Sequence, residues 1–392
     1  MKNLLKKYWV WLVALAMLVL GVSTRVLAES SDAASKARKL YQLLTGVVLT
    51  QENPLRASIE AKVSAGDLMG AAQIITHPKT GAREFYDSTI QNFAMPFNRA
   101  ESGASDPSDL TAMFVGNTRD EQPIDNLLFE DMVYTDPTVV DGNIYTPNSN
   151  AHFRFLETRG SLRDSLVKRT NDGYPGAGIF TTRGWGEQFF LMGTNRRNWE
   201  YAVRLLYCTP LASVKSFDLV DSYIRRDVPR VNGGDPNVFV KDCKGCHSTM
   251  DAVVPAFLQY DFDNGRVVRR GAVVDKLNEI NYPSFRVTTD EWNLLLSEEQ
   301  NRVFGFQGPF SGNGLQALGQ AIAGSSGFIN CMAKRVVSQV YLRKTFSLTA
   351  LSENDQKRLL REDAVVKKLA TSLASHRSLK RLFEEAVLEY LR

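Results

Sequence analysis

The sequence is poor in the residues on which metal-rich and disulfide-rich proteins depend, with four cysteines and four histidines among 392 residues. Hydrophobic residues make up 44% and charged residues 23% of the chain, a balance that excludes disorder, a collagen-like repeat and a small disulfide scaffold. Internal repeats and low-complexity runs are missing. So are a Ser-His-Asp order, a phosphate-binding glycine motif and an H-E-x-x-H motif, so no pattern supports a hydrolase or a nucleotide enzyme.

Surplus positive charge is also scarce in the body of the chain. The formal net charge is +4, but Lys2, Lys6, Lys7 and Arg25 all precede residue 29, and no acidic residue does. The rest of the chain is therefore neutral. Phosphate binding needs clustered surplus cations, so we expect no nucleic acid among the partners.

The first 28 residues have the order of a secretory signal peptide. Three lysines lie within Met1–Lys7, and the run Tyr8–Val22 carries no charge. The small residue Ala28 suits the position just before the cleavage site of a signal peptidase. A helix over that run would span about 22 Å, less than the ~30 Å hydrocarbon core of a bilayer. We therefore expect export to a bacterial periplasm. The alternative is that this segment stays uncleaved as a membrane anchor, and only then would the protein be bound to the membrane. No cysteine follows the apolar run, so a lipoprotein anchor is not expected.

The remaining chain is predicted to be mainly α-helical, because apolar residues recur at three- and four-residue spacing in many segments. We expect a helical N-terminal unit at 29–170, a loop-rich central unit at 171–270 and a helical C-terminal unit at 271–392. Strands are predicted only at Met132–Thr135 and Arg266–Val268.

The central unit contains the C-x-x-C-H sequence Cys243-Lys244-Gly245-Cys246-His247, the attachment motif of c-type haem. Two thiols on one helical turn can reach the two vinyl groups of a porphyrin, and the adjacent imidazole can bind the iron as proximal ligand. One motif predicts one covalent haem c. A thioredoxin-like dithiol, a zinc site and a chance disulfide are the alternatives, but a preceding strand and a second ligand pair are missing from the sequence.

The iron ligand opposite His247 is not determined by the sequence. The candidates are Met95, Met192 and His152, which we expect in loops, and Met332, which is spaced as a helical core residue. A methionine or histidine there would close the site for electron transfer, whereas an empty side would allow ligand chemistry.

The other two cysteines, Cys208 and Cys331, are 123 positions apart. In an oxidising compartment they are expected to pair, closing a long loop worth about 4–5 kcal/mol on the chain-entropy model. The alternative is two buried free thiols in core helices.

Several segments around the motif resemble the planctomycete-type cytochromes, large exported bacterial proteins built from domains of unknown function. The similar segments are Gln122–Tyr134, Gly178–Thr182, Gly193–Arg196, Leu205–Pro210, Met250–Asp251, Phe257–Arg266, Phe306–Leu315 and Phe328–Cys331. The likeness spans about Gln122 to Arg392 and implies a helical haem protein. It departs from the family at Asp251-Ala252, where Asp-Pro is usual, and at Asn198-Trp199, where Arg-Gly is usual; the long members' additional N-terminal modules are missing.

Three functions follow from a single haem. The first is electron transfer, as a carrier or redox subunit between periplasmic donor and acceptor proteins. The second is a haem enzyme or ligand sensor with an open distal side, for which Tyr174, Arg183 and Trp185 are candidate pocket residues, unless they form an ordinary packed loop. The third is an envelope-assembly component in which the haem is structural.

Overall fold

The computed structural model describes residues 32–98, 106–171, 173, 176–191, 195–225, 227–231, 235–274, 286–342 and 353–392. The predicted signal peptide, residues 1–28, lies outside the described residues. The described chain is mainly helical, which confirms the predicted α class, whereas the loop-rich haem-binding centre stays a prediction. The helices are α1 (32–45), α2 (Arg56–Ser64), α3 (Leu68–Ile75), α4 (Gln91–Ala94), α5 (Asp109–Arg119), α6 (Asn126–Phe129), α7 (Ala151–Thr158), α8 (Leu162–Ser165), α9 (Arg183–Phe189), α10 (Arg196–Leu206), α11 (Pro236–Val238), α12 (Lys244–Val253), α13 (Glu298–Phe304), α14 (Gly314–Ala323), α15 (Ser326–Val340), α16 (Glu353–His376) and α17 (Leu379–Leu391).

Several helices are extended by irregular helical turns. A π-helical segment, Phe85–Ile90, leads into α4, and a 3₁₀ turn, Met95–Asn98, follows it. A second π-helical segment, Phe239–Cys243, joins α11 to α12, and a 3₁₀ turn at Val254–Phe257 ends α12. The C-x-x-C-H motif therefore lies within one nearly continuous helical stretch.

The strands of the described chain form three two-stranded antiparallel ribbons. They are β1 (Val133–Thr135) with β2 (Val167–Arg169), β3 (Tyr260–Asp263) with β4 (Arg266–Arg269), and β5 (Glu291–Asn293) with β6 (Ser311–Asn313). The two predicted strands correspond to β1 and β4. Their partners and the third ribbon were not predicted, because strands of three or four residues are too short for a clear alternating pattern.

Polar side chains define where several helices begin. The carboxylate of Asp67 accepts a hydrogen bond from the backbone N–H of Gly70 and caps α3. Ser297 and Gln300 form a reciprocal capping box at the start of α13. These bonds satisfy backbone donors that have no partner within the helix.

Most of the buried apolar residues form one large cluster that runs from Ala33 to Val387. Close contact between the backbones of α14 and α6 contributes to this core. A Cβ added at Gly319 of α14 would lie 2.1 Å from the carbonyl oxygen of Leu128, so α14 and the end of α6 approach as closely as they do because glycine has no side chain. All three predicted units contribute to this core, and their division at 170 and 270 stays a prediction.

None of the described helices has the length and apolar composition that a membrane crossing requires.

Candidate functional site

The predicted haem motif lies at the start of α12. Cys243 is the N-cap residue of this helix, and Cys246 and His247 lie in its first turn. Both thiols are unbonded and partly exposed. Helical residues precede the motif instead of a strand, so the βαβ context of a thioredoxin-like dithiol is not present in the described chain.

The other two cysteines form a disulfide, Cys208–Cys331, with their Cα atoms 5.4 Å apart. This confirms the predicted pairing over the alternative of two free thiols. The bridge joins the segment after α10 to α15. Because the remaining cysteines are Cys243 and Cys246, both thiols of the motif stay free for another bond.

One side of the motif is closed by the segment that contains Phe217. The backbone N–H of Ser216 donates to the carbonyl of Gly245 at 3.0 Å. A Cβ added at Gly245 would lie 2.8 Å from the ring of Phe217. A larger residue in the middle of the C-x-x-C sequence would therefore displace this segment.

The imidazole of His247 is oriented by a carboxylate one helical turn later. Its Nδ1 lies 3.3 Å from both carboxylate oxygens of Asp251. An ionised carboxylate can only accept, so Nδ1 carries the proton and donates. The Nε2 atom makes no hydrogen bond to any residue that the structure describes, and 22% of the His247 side chain is exposed. This tautomer leaves Nε2 as the atom able to bind a metal.

Asp251 is fully buried, yet it remains charged. Its carboxylate accepts hydrogen bonds from Nε and Nη2 of Arg196, at 2.6 and 3.0 Å, and from the backbone N–H of Arg225, at 2.9 Å. Burial alone would raise the pKa of Asp251. The bonds from His247 and Arg196 outweigh it and hold the pKa at about 2.

Arg196 is itself clamped between two carboxylates. Besides Asp251, it donates to both oxygens of Asp227, at 2.5 and 2.6 Å. Burial would lower the pKa of Arg196, but its two acidic partners raise it above the ordinary value, while the pKa of Asp227 is lowered. The His247–Asp251–Arg196–Asp227 chain was not predicted. Its one sequence-level indication is the four-residue spacing of His247 and Asp251, which places both on one helical face.

A small apolar cluster adjoins the first thiol. Ile224, Val228 and Phe239 are buried together, and the partly exposed Cys243 packs against them. This cluster is separate from the main core. Two free thiols, an imidazole with a committed Nδ1 and a neighbouring apolar surface are the groups that a covalent porphyrin requires, so the residues present fit haem c.

Two of the candidate distal ligands lie in helical segments and not in the predicted loops. Met95 is the first residue of the 3₁₀ turn Met95–Asn98. The following Pro96 does not prevent this turn, because proline is tolerated in the first turn of a helix. His152 lies in α7 and is buried. Its Nε2 accepts from the backbone N–H of Asp136 at 3.0 Å and its Nδ1 lies 2.9 Å from the carbonyl oxygen of Asn143, so both ring nitrogens are occupied.

The other two candidates give no support for a distal ligand. Met332 is buried in α15, as its spacing predicts for a core residue. Met192 lies outside the described residues.

The predicted pocket residues contribute to packing. Trp185 is fully buried in α9 and its indole N–H donates to Asn198 at 2.8 Å. Arg183 pairs with Glu187 at 2.8 Å on the same helix. Tyr174 lies outside the described residues. Arg183 and Trp185 are therefore packed as the alternative to a pocket predicts, but in a helix and not in a loop.

Across the described ranges, no three His, Cys, Asp or Glu side chains converge in an arrangement that could hold a metal ion. No protein-family model, no curated protein and no solved structure matches this chain.

Proposed function

We propose that this protein is an exported monohaem c-type cytochrome that transfers electrons as a carrier or redox subunit between periplasmic proteins. The observation that carries the proposal is the state of Cys243-x-x-Cys246-His247. Both thiols are free while the other two cysteines are paired, and the imidazole is already fixed in the ligating tautomer by Asp251.

Different residues would attach the haem, bind its iron and orient the iron ligand. Cys243 and Cys246 would form the two thioether bonds, and Nε2 of His247 would be the proximal ligand. A haem bound in this way supplies a reversible one-electron couple at its iron. Asp251 orients the imidazole and increases its basicity, and Arg196 with Asp227 holds Asp251 in place.

Periplasmic localisation and the haem c cofactor are part of this proposal. The disulfide supports an oxidising compartment, since disulfides persist outside the cytoplasm. The resemblance to planctomycete-type cytochromes also supports a covalent haem, although that resemblance stays a prediction.

A second candidate function is a haem enzyme or ligand sensor with an open distal side. It is favoured by the state of His152 and Met332, because the first has both nitrogens bonded and the second is packed in the core. A structural haem in an envelope assembly is the third possibility, and no contact in the described chain favours it.

The attachment is tested by making the full chain together with a cytochrome c maturation system. After denaturation, the wild-type protein should retain a haem-stained band. The double variant Cys243→Ser/Cys246→Ser should lose this band, whereas the matched variant Cys208→Ser/Cys331→Ser should keep it. A covalent haem that persists without Cys243 and Cys246, or a wild-type protein with two free thiols and no haem, would contradict the proposal.

The distal side is tested by the reduced optical spectrum before and after carbon monoxide is added. A low-spin spectrum that does not change supports electron transfer through a closed six-coordinate site. A shift shows an open or weakly held distal position and favours the enzyme or sensor.

A further inference from the structure

A groove of about 520 Å³ lies beside the disulfide, at the C-terminal end of α10. It is formed by residues of α4, the end of α10 and one face of α15. Three cationic side chains line it, Arg204, Lys334 and Arg335, and no acidic residue of the described chain does. The groove therefore combines a concave shape with charge of one sign.

Arg335 is the centre of this charge. Its Nε donates to the carbonyl of Leu205 at 2.9 Å, and its guanidinium carbon lies 4.8 Å from the centre of the Phe97 ring. These two contacts fix the plane of the group. Its Nη nitrogens form neither a hydrogen bond nor an ion pair with residues in the described ranges, although Arg335 lines the groove.

Arg335 is partly buried, and no ion pair joins it to a carboxylate of the described chain. Burial lowers the pKa of Arg335 to about 10, and no neighbouring carboxylate raises it again. Arg196 provides the contrast within the same protein, since two carboxylates raise its pKa. Burial of even part of a cation favours a neighbouring anion, and the described chain places no carboxylate beside Arg335.

The neighbouring side chains add charge and polar groups. Lys334 lies beside Arg335. Burial lowers the pKa of Lys334, although the charge of Asp363 partly opposes this. Arg204 is partly neutralised by Glu200, at 2.8 Å. Asn92 contributes an amide to the lining, and Phe93 contributes an apolar surface.

We propose that this groove binds a small oxyanion, the carboxylate or phosphate group of a metabolite-sized ligand, with two of its oxygens on the Nη nitrogens of Arg335. The planar guanidinium matches such a group in a bidentate geometry. Lys334 adds a second positive charge, and Phe93 can contact an apolar part of the ligand. The proposal does not depend on the haem, because the groove is lined by no residue of the C-x-x-C-H motif or of the His247–Asp251–Arg196–Asp227 chain.

The test is calorimetric titration of the full chain with two probes at constant ionic strength. Inorganic phosphate presents the oxyanion alone, and benzoate presents a carboxylate on an apolar ring. Saturable one-site binding of either probe is expected, and the tighter of the two identifies the ligand class. Arg335→Met should weaken that binding about tenfold or more, while Arg335→Lys, which retains the charge but not the fork, should weaken it less. Arg302→Met is the matched control, since Arg302 is exposed on α13 and pairs with Glu298.

Thermal unfolding in the absence of both probes shows whether a variant has a folding defect. Arg335→Met loses the hydrogen bond to Leu205 but keeps an apolar side chain against Phe97, so we expect a cooperative transition only slightly below that of the wild type. If Arg335→Met fails to fold, the Arg335→Lys titration decides the matter. Equal affinity in wild type and Arg335→Lys, equal affinity in wild type and a folded Arg335→Met, or no saturable binding of either probe would overturn the proposal.

Discussion

The carboxylate of Asp251 lies 3.3 Å from Nδ1 of His247. Asp251 follows His247 by one turn of α12, and its side chain is completely buried. A carboxylate in this position increases the electron donation of the imidazole toward a metal at Nε2. In the proposed haem protein it would stabilise the oxidised form of the iron relative to the reduced form.

We predict that Asp251→Asn raises the reduction potential of the haem protein by about 60 mV or more, which is a tenfold change in the one-electron equilibrium. Asparagine can still accept from Arg196 and Arg225 but carries no charge. The covalent haem should remain, as shown by staining after denaturation. Potentiometric titration followed by optical absorbance measures the change.

The control for this prediction is Asp227→Asn. It removes the other acidic partner of Arg196 without touching His247. It should destabilise the protein while changing the potential much less. Equal potential changes in the two variants would show that Asp251 acts through general charge and not through the imidazole.

Loss of the disulfide should destabilise the protein strongly. We expect Cys208→Ser/Cys331→Ser to lower the free energy of unfolding by about 2–5 kcal/mol, because the bridge closes a loop of 123 residues in the unfolded chain. Urea unfolding of oxidised wild type and the variant measures this. A midpoint that does not move would mean that the bridge contributes no net stability.

Gly319 should not tolerate a methyl group. Gly319→Ala would place its Cβ against the backbone of Leu128, and we expect a loss of about 1–3 kcal/mol from overpacking. Gly324→Ala, at the end of the same helix, is the matched control. Its Cβ would meet only ordinary contacts at 3.6 and 3.7 Å, so its stability should be unchanged or slightly higher. Equal effects in the two variants would contradict the close approach of α14 to α6.

Asp87 should make the stability depend on pH. Burial raises the pKa of Asp87 to about 6, although a hydrogen bond from the backbone N–H of Arg163 partly opposes this. Between about pH 4 and pH 6 the folded protein therefore holds a proton that the unfolded chain has released, so this group contributes stability that is lost as the pH rises.

We accordingly expect Asp87→Asn to be more stable than wild type by about 1–3 kcal/mol at pH 7, with the difference closing toward pH 4. Urea unfolding at both pH values measures it. Asp67→Asn is a control of opposite sign. Hydrogen bonds from Lys62 and Gly70 lower the pKa of Asp67, so this change should destabilise the protein at pH 7, and the loss should fade in acid. A pH-independent gain in Asp87→Asn would contradict the assignment.

The sequence by itself determined the local features of this protein. Helical periodicity identified a mainly α chain, and the C-x-x-C-H spacing placed two thiols and an imidazole on one turn of a helix. The pairing of Cys208 with Cys331 was expected because an oxidising compartment favours a bond between the two cysteines outside the motif, although two free thiols were the alternative. Each of these inferences depends on residues that are close in sequence or on a residue type that is rare in it.

Only the tertiary structure decided what surrounds those residues. Asp251 is held by Arg196, 55 positions earlier, and by the backbone of Arg225, 26 positions earlier. The hydrogen bonds that occupy His152 and the uncompensated charge of Arg335 likewise arise between separate segments. Hydrogen bonding and burial between distant segments produce no periodic pattern in a sequence. Folding alone brings these groups together and sets the charge that each of them carries.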